Sequence, residues 1–343
     1  METPDFSFDP SSVLIDPKET NTSIMQMDRV VKMSQSLGLI ALDKYILLKK
    51  KEMYGFVAGS KAGKTLLISE LALMAARYSQ WKFLVLTTET EVDDYKGTMV
   101  SFLMDKDVRD CTADEKIACL EFIDKHFQFL KNELDHLQIF DVYHYTKTKN
   151  IDFDAIIIDP ITNISRSKKI KGTGNDYYDE LYTQYLRFAK AHCSLWIIAH
   201  TVTSKEREHI MPFVQDAEYG VYLARRCHYG ITFYRDAQDD LRYNRVECHV
   251  RYVRSSLTKG GTPTLKNSPI EFIFHKSGEH ARTDQFHYNV VVDGIEYENP
   301  LLYENKKMNP DGLWPKAVAE SVPTERTEKE SGYIFGEERD AKF

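Results

Sequence analysis

The chain has 343 residues, a formal charge of −7 at neutral pH and 42% hydrophobic residues, enough for one large or two smaller globular domains with a sizeable core. That acidic balance excludes a globally basic nucleic-acid surface, so any such contact must come from a local basic loop. The five cysteines, Cys111, Cys119, Cys193, Cys227 and Cys248, form no CxxC pair, which excludes a zinc knuckle and reads as reduced thiols. No apolar run approaches about 18 residues and no signal pattern opens the chain, so the expectation is a cytoplasmic protein without a membrane partner.

Residues 1–22 mix Pro, Ser, Asp and Thr without periodicity and read as a flexible tail. Residues 23–50 read as a linker helix and entry segment. Ile24, Met27, Val30, Val31 and Leu37 give a helical stripe that Gly38 ends, packed either on its own domain or on a neighbouring subunit. Lys49, Lys50 and Lys51 then read as a solvated charge run.

The most informative stretch follows. An apolar strand at 54–57 runs into a small-residue loop and then a nearly all-apolar helix at 66–76. Ala58, Gly59, Ser60, Lys61, Ala62, Gly63, Lys64 and Thr65 fit the phosphate-loop pattern [AG]-x-x-x-x-G-K-[ST], with alanine in place of the first glycine. The residue types suit the task. Gly63 lets backbone approach an oxyanion, the N–H groups at the helix start attract phosphates, Lys64 reaches the β and γ oxygens, and Thr65 offers a hydroxyl to Mg²⁺.

A second apolar strand, 83–88, leads to Glu89, Glu91, Asp93 and Asp94. Acidic residues past a strand's C-terminal end lie where an open parallel sheet keeps its ligand crevice. Glu89 is therefore the first candidate for a general base acting on water at the γ-phosphate, with Glu91 the alternative and Asp93 and Asp94 a solvated helix start. Residues 112–138, with Ile117, Leu120, Ile123, Phe127 and Leu130, read as one amphipathic helix covering the sheet. Within 153–164 the four apolar residues 155–158 lead to Asp159 at a strand end, the pattern of a Walker B carboxylate that holds Mg²⁺.

The loop at 165–175 carries Arg166, Lys168, Lys169 and Lys171 without proline. It is expected to be mobile and able to reach a nucleic-acid backbone. A helix at 176–192 and a buried strand at 194–200 follow, the strand ending in His200, either a γ-phosphate sensor or a plain strand-end histidine. Residues 201–210 give a second polar, partly basic loop. Further strands are expected at 229–235, 245–254 and 270–275. The second of these carries Arg251 and Arg254, either of which could project into a neighbour's nucleotide site as a finger. From residue 298 the charge and prolines predict a disordered tail to 343, leaving 51–297 as the folded domain.

Residues 58–65 (AGSKAGKT), 86–90 (LTTET), 156–164 (IIIDPITNI), 175–200 (NDYYDELYTQYLRFAKAHCSLWIIAH) and the arginine strand together resemble the motor of DnaB/Twinkle-type replicative helicases over residues 50–262. The segment 175–200 is similar to the Twinkle and phage primase-helicase branch, where a histidine holds the sensor position. Residues 211–235 resemble that family's DNA-contacting motif, a proline-led loop followed by a strand closing in arginine. The family's Lys-x-Arg is here Tyr252-Val253-Arg254, with Arg251 beside it.

The resemblance implies a RecA-like P-loop NTPase core of the α/β class: a mostly parallel sheet flanked by helices, with antiparallel strands at its C-terminal edge. It implies ATP and Mg²⁺ as cofactors, Lys64, Thr65 and Asp159 around them, Glu89 activating water, His200 sensing the γ-phosphate and Arg254 acting in trans, with Arg251 standing in for the missing lysine. It further implies a hexameric ring on single-stranded DNA, contacted by loops 165–175 and 201–210, and a separate primase, loader or polymerase as partner. Two other classes keep the same core: a recombination or clamp-type ATPase that coats DNA without unwinding it, and a monomeric P-loop kinase.

Overall fold

The computed structural model describes residues 45–59, 62–202, 211–236, 243–254, 261–262, 270–275, 287–292 and 294–298. The expected tail at 1–22, the helix at 23–37, Ser60 and Lys61, residues 203–210 and everything after Glu298 lie outside the described residues.

Strands β1 (Met53–Ala58), β2 (Phe83–Thr87), β3 (Phe127–Phe129), β4 (Ala155–Asp159), β5 (Ser194–His200) and β6 (Tyr229–Tyr234) pair in parallel. Strands β7 (Arg245–Val253), β8 (Ile270–His275), β9 (His287–Val292) and β10 (Ile295–Glu298) extend the sheet antiparallel beyond β6. The ten strands form one sheet in the order β10-β9-β8-β7-β6-β1-β5-β4-β2-β3. This is a RecA-like α/β architecture, with the parallel part in the middle and the antiparallel part at one edge.

Strand alternation sets the layers. β2 and β4 are buried along their whole length, as strands covered on both faces must be. Phe83 and Val85 join Trp196 and Ile198 in one core, under α1 (Lys64–Ser79), α2 (Val92–Met104) and α3 (Ala113–His126). Leu84 and Leu86 join Ile156 and Ile158 in the other, under α4 (Gln138–Thr148), α5 (Asn175–Ala191) and α6 (Gly220–Arg226). α1 carries twelve buried residues, so the all-apolar reading of its sequence reflects a central position beneath the sheet. Among the described residues, no helix is long and apolar enough to cross a membrane.

The single helix expected over 112–138 is two helices with a strand between them. A capping box of Thr112 and Glu115 opens α3, but the helix stops at His126 and Phe127–Phe129 pairs with β2 instead. Leu130 N–H then donates to Val85 O at 2.8 Å. Phe127 and Leu130 fit a helical spacing and a strand's burial equally well, and the open edge of β2 decides between them. Asp135 then accepts from Leu137 N–H and Gln138 N–H at 2.8 and 3.0 Å and starts α4. Ile117, counted in the expected stripe, is 56% exposed. The three lysines read as a solvated run also have partners: Lys49 with Glu52, Lys50 with Asp154, and Lys51 with Ala191 O.

Candidate active site

Four parallel strands end side by side. Ala58 is in register with His200, and Thr87 with Asp159, so the sheet itself brings residues from four segments to one edge. Between β1 and α1 the chain turns through Gly63, whose φ of 80° lies in the left-handed region that glycine adopts freely. Gly63 also caps α1, and no described side chain does so. The first-turn N–H groups of a buried 16-residue helix thus face the strand ends with nothing competing for an anion.

Two linked contacts organise the side chains. Thr65 Oγ1 donates to Asp159 Oδ2 at 2.8 Å. Lys64 Nζ lies 2.9 Å from His200 Nδ1, and His200 Nε2 lies 2.9 and 3.2 Å from the two oxygens of Glu89. An ammonium can only donate, so Nδ1 is the acceptor and the ring carries its proton on Nε2, toward Glu89. Asn163 Nδ2 donates to the same Glu89 oxygen at 3.1 Å. Lys64, His200, Glu89 and Asn163 therefore form one continuous chain, with Thr65 and Asp159 beside it.

The charges here are poorly solvated. Burial pulls the Lys64 ammonium below the ordinary lysine value, and the carboxylates of Asp159 and Glu89 restore only part of the loss. Burial likewise pushes the Asp159 carboxyl up, against the Thr65 hydrogen bond and the Lys64 charge. Asp159 Oδ1 is buried and has no hydrogen-bond partner. A hydroxyl and a carboxylate with an oxygen to spare form a hard oxygen set, which suits Mg²⁺ with most of its waters retained. A cavity of about 330 Å³ adjoins them, lined by Gly63, Lys64, Thr65, Glu89 and His200 among others.

Of the expected site residues, the structure brings Gly63, Lys64, Thr65, Glu89, Asp159 and His200 together; Ala58 and Gly59 lead into the same turn, with Gly59 beside the Thr201 hydroxyl. Ala62 is buried in the α1-side core. Arg251 and Arg254 stand elsewhere. The β6–β7 register shifts between Gly230 and Ile231, a bulge of the kind that re-aims a side chain. There Tyr252 packs so closely that a Cβ on Gly230 would meet its ring at 2.5 Å. Arg251 turns to Pro212 O, at 3.1 Å from Nε and 2.7 Å from Nη2, to Thr232 Oγ1 at 2.9 Å, and over the Phe213 ring at 4.3 Å. Arg254 donates to the carbonyls of Ala224 and Arg225 at the C-terminal end of α6.

The basic loop at 165–175 is anchored, against the expectation of a mobile one. Ile170 is buried, Ser167 N–H donates to Tyr177 Oη at 2.8 Å, His136 N–H donates to Ser165 O at 3.1 Å, and Arg166 lies over Tyr177 and Tyr178. The tyrosines of α5 are the cause, and Ile170 is the apolar anchor that the sequence reading passed over. Asn163 and Tyr95, which also lines the cavity, were likewise not singled out. Asn163 falls within the quoted stretch 156–164 and Tyr95 within none, and only the fold brings them to Glu89 and Ser69.

Fold and strand-end geometry together define a RecA-like ATPase fold. No family model matches the sequence, and no curated protein matches it. Solved structures do. One is an ATPase domain, with a TM-score of 0.62 and 14% identity over 79% of this chain and 97% of that one. Another is a DnaB-like replicative helicase, solved in a study of its interactions with primase, with a TM-score of 0.58 and 15% identity over 77% of this chain. This chain spans 65% of that helicase's length.

Proposed function

We propose that this protein is an ATP-driven motor that assembles as a homo-oligomeric ring, a hexamer, and moves along single-stranded DNA as a replicative helicase. The observation that carries this reading is the Lys64–His200–Glu89 chain beside the Thr65–Asp159 pair, set at the C-terminal edge of the parallel strands. The Lys64–His200 contact in it is one that a bound nucleotide would take over.

Residues 58–65 would wrap the phosphates, and Lys64 would leave His200 for the β and γ oxygens. Thr65 and Asp159 would hold Mg²⁺, which supplies charge neutralisation on those oxygens. Glu89 would orient and deprotonate the attacking water. His200, no longer occupied by Lys64, would donate to the γ-phosphate from Nδ1 once that nitrogen carries a proton, while its Nε2–H stays on Glu89. Because His200 O accepts from Glu218 N–H and Val202 N–H donates to Asp216 O, a change at the sensor would be passed to the segment that follows the proline-led loop at 211–213.

Arg254 is the trans-acting residue in this proposal. Val253 pairs with Tyr229, and Tyr229 with Tyr54, four residues short of Ala58. Arg254 lies one residue further, bonded to His228 O, so at about 3.3 Å per residue it stands about 17 Å along the strands from its own phosphate loop, at the N-terminal end of the parallel strands. It therefore suits a neighbour's nucleotide better than its own. Arg251, bonded to Pro212, steadies the DNA-facing loop instead of reaching a phosphate. Residues 165–175 and 201–210 would contact DNA, and a separate primase, loader or polymerase would complete the replication machinery.

Steady-state ATP hydrolysis with and without single-stranded DNA, followed by strand displacement on a forked duplex, tests the reading. Stimulation by DNA and release of the annealed strand are expected. Hydrolysis indifferent to DNA would overturn it, and DNA-stimulated hydrolysis without strand release would favour an ATPase that only coats DNA.

A further inference from the structure

The cavity beside Thr65 runs past the residues that the proposed reaction uses. Beyond Thr65 it is lined by Ser69, one turn further along α1, and by Tyr95 and Thr98 of α2. A wall of hydroxyls is unusual at the foot of two helices whose neighbouring side chains, Leu67, Ile68, Met99 and Phe102, are all core. Ser69 is already committed, donating to Thr65 O at 2.7 Å. Tyr95 is less so: the residue is 1% exposed, and its buried hydroxyl lies beside the Ser69 hydroxyl but makes no hydrogen bond of ordinary geometry. Asp159 Oδ1, the other polar atom without a partner at this site, belongs to the carboxylate bonded to Thr65.

One under-satisfied buried hydroxyl lines the cavity, and the other such atom sits on the carboxylate bonded to Thr65, which also lines it; leaving each unsatisfied costs about 1–3 kcal/mol, so both call for a polar partner. The rest of the Tyr95 side chain is conventional. Its ring meets Phe129 edge-on at 5.5 Å and sits within the α1-side core. Phenylalanine would meet those packing requirements as well, so packing does not explain the hydroxyl.

Building on the nucleotide site proposed above, we propose that Tyr95 is a positioning residue for the hydrated divalent cation, whose bound water its hydroxyl and Asp159 Oδ1 would order. Mg²⁺ gives up its waters reluctantly and is commonly held through them. Groups outside the direct ligands that fix such waters typically change metal affinity 10–100-fold. Burial and the nearby Asp159 carboxylate hold the phenol well above its ordinary value. It stays protonated, which makes it a hydrogen-bonding partner of coordinated water and a poor direct ligand.

The test is Tyr95→Phe in the full chain, with Mn²⁺ as the probe cation. Free Mn²⁺ is read by electron paramagnetic resonance during titration in the presence of ADP, binding of a fluorescent ADP analogue is read in EDTA, and thermal unfolding is read with and without Mn²⁺ and ADP. The expected result is Mn²⁺ affinity weakened about 10-fold or more, nucleotide binding in EDTA unchanged, and unfolding of the metal-free protein unchanged or shifted upward because a buried hydroxyl without a partner has gone. Unaltered Mn²⁺ affinity in the variant, beside normal Mn²⁺ and ADP binding by the unmodified protein, would overturn this inference and leave the nucleotide reading standing. Failure of the unmodified protein to bind either ADP or Mn²⁺ would overturn both. A drop in metal-free stability with Mn²⁺ affinity intact would assign the hydroxyl to Ser69 and the fold, and would also overturn it.

Discussion

The two ends of the parallel strands hold the same kinds of charged group and treat them in opposite ways. At the N-terminal end, Glu52 lies 2.7 Å from Lys49 Nζ and 2.8 Å from His228 Nδ1. Burial pushes its carboxyl up, but those two partners outweigh burial and hold it below the ordinary carboxylate value. At the C-terminal end, burial wins: Asp159 is raised and Lys64 lowered, each despite an oppositely charged neighbour. The N-terminal end is held by its charged neighbours, although Glu52 Oε2 makes no hydrogen bond of ordinary geometry. At the C-terminal end the charged forms are disfavoured beside a cavity, which is the pattern that marks a candidate functional site.

The sharpest way to break the comparison is to remove groups from each end and compare turnover with stability. Glu89→Gln keeps the shape of the C-terminal end and removes the base, so kcat of DNA-stimulated hydrolysis is expected to fall about 10²–10⁴-fold with little change in unfolding temperature. Asn163→Ala removes one hydrogen bond to a charged group and is expected to lower kcat by about 10-fold or more. Rescue by Asn163→Gln or Asn163→Ser would support positioning of Glu89 over a general loss of structure.

At the N-terminal end the expected order is reversed. Glu52→Ala leaves His228 and Lys49 without their buried carboxylate and is expected to cost about 3 kcal/mol, measured by urea unfolding. The folded-state value of Glu52 is depressed, so its contribution is present above the ordinary 4.5 and lost as pH falls through the lowered value. The variant's deficit should therefore shrink on acidification below that point. A constant deficit would mean that the carboxylate's ionisation is not what stabilises this end.

The smallest expected effect has the opposite sign. Asp159→Asn removes a raised carboxyl, whose cost sets in as pH rises from the ordinary 3.8 through its elevated value. In the absence of ligand the variant should match or exceed the unmodified protein at neutral pH, by about 2 °C in Tm, while losing Mg²⁺-dependent turnover. A markedly less stable variant would place Asp159 among the groups that hold the fold together.

The C-terminal half of this contrast was legible in the sequence, for physical reasons, whereas Glu52 and His228 gave no signal there. Residues 58–65, Asp159 and His200 sit at the ends of short apolar runs, and parallel β-strands buried on both faces leave that signature whatever surrounds them. The strand at 194–200 and the strand at 270–275 fall where expected. What sequence could not give was pairing. Whether Phe127 belonged to a helix or a strand depended on the open edge of β2, and the hold on the 165–175 loop depended on tyrosines that a helix of another chain could equally point outward. Arg251 and Arg254 were visible as an arginine strand. That one anchors Pro212 and the other the C-terminal end of α6 follows from a bulge opposite Gly230 and from antiparallel register, neither written in any motif.

The account turns on the two ends of the sheet serving different copies of the chain, with fuel bound at one end and Arg254 offered from the other. Mixing Lys64→Ala and Arg254→Ala proteins and measuring DNA-stimulated hydrolysis tests this most directly. Each variant alone should be nearly inactive, the arginine alone being worth about 10³–10⁵-fold where such fingers operate. The mixture should regain activity at interfaces that join an intact phosphate loop to an intact arginine. Arg254→Ala retaining full activity alone, or a mixture no more active than its components in assemblies shown to contain both, would contradict it.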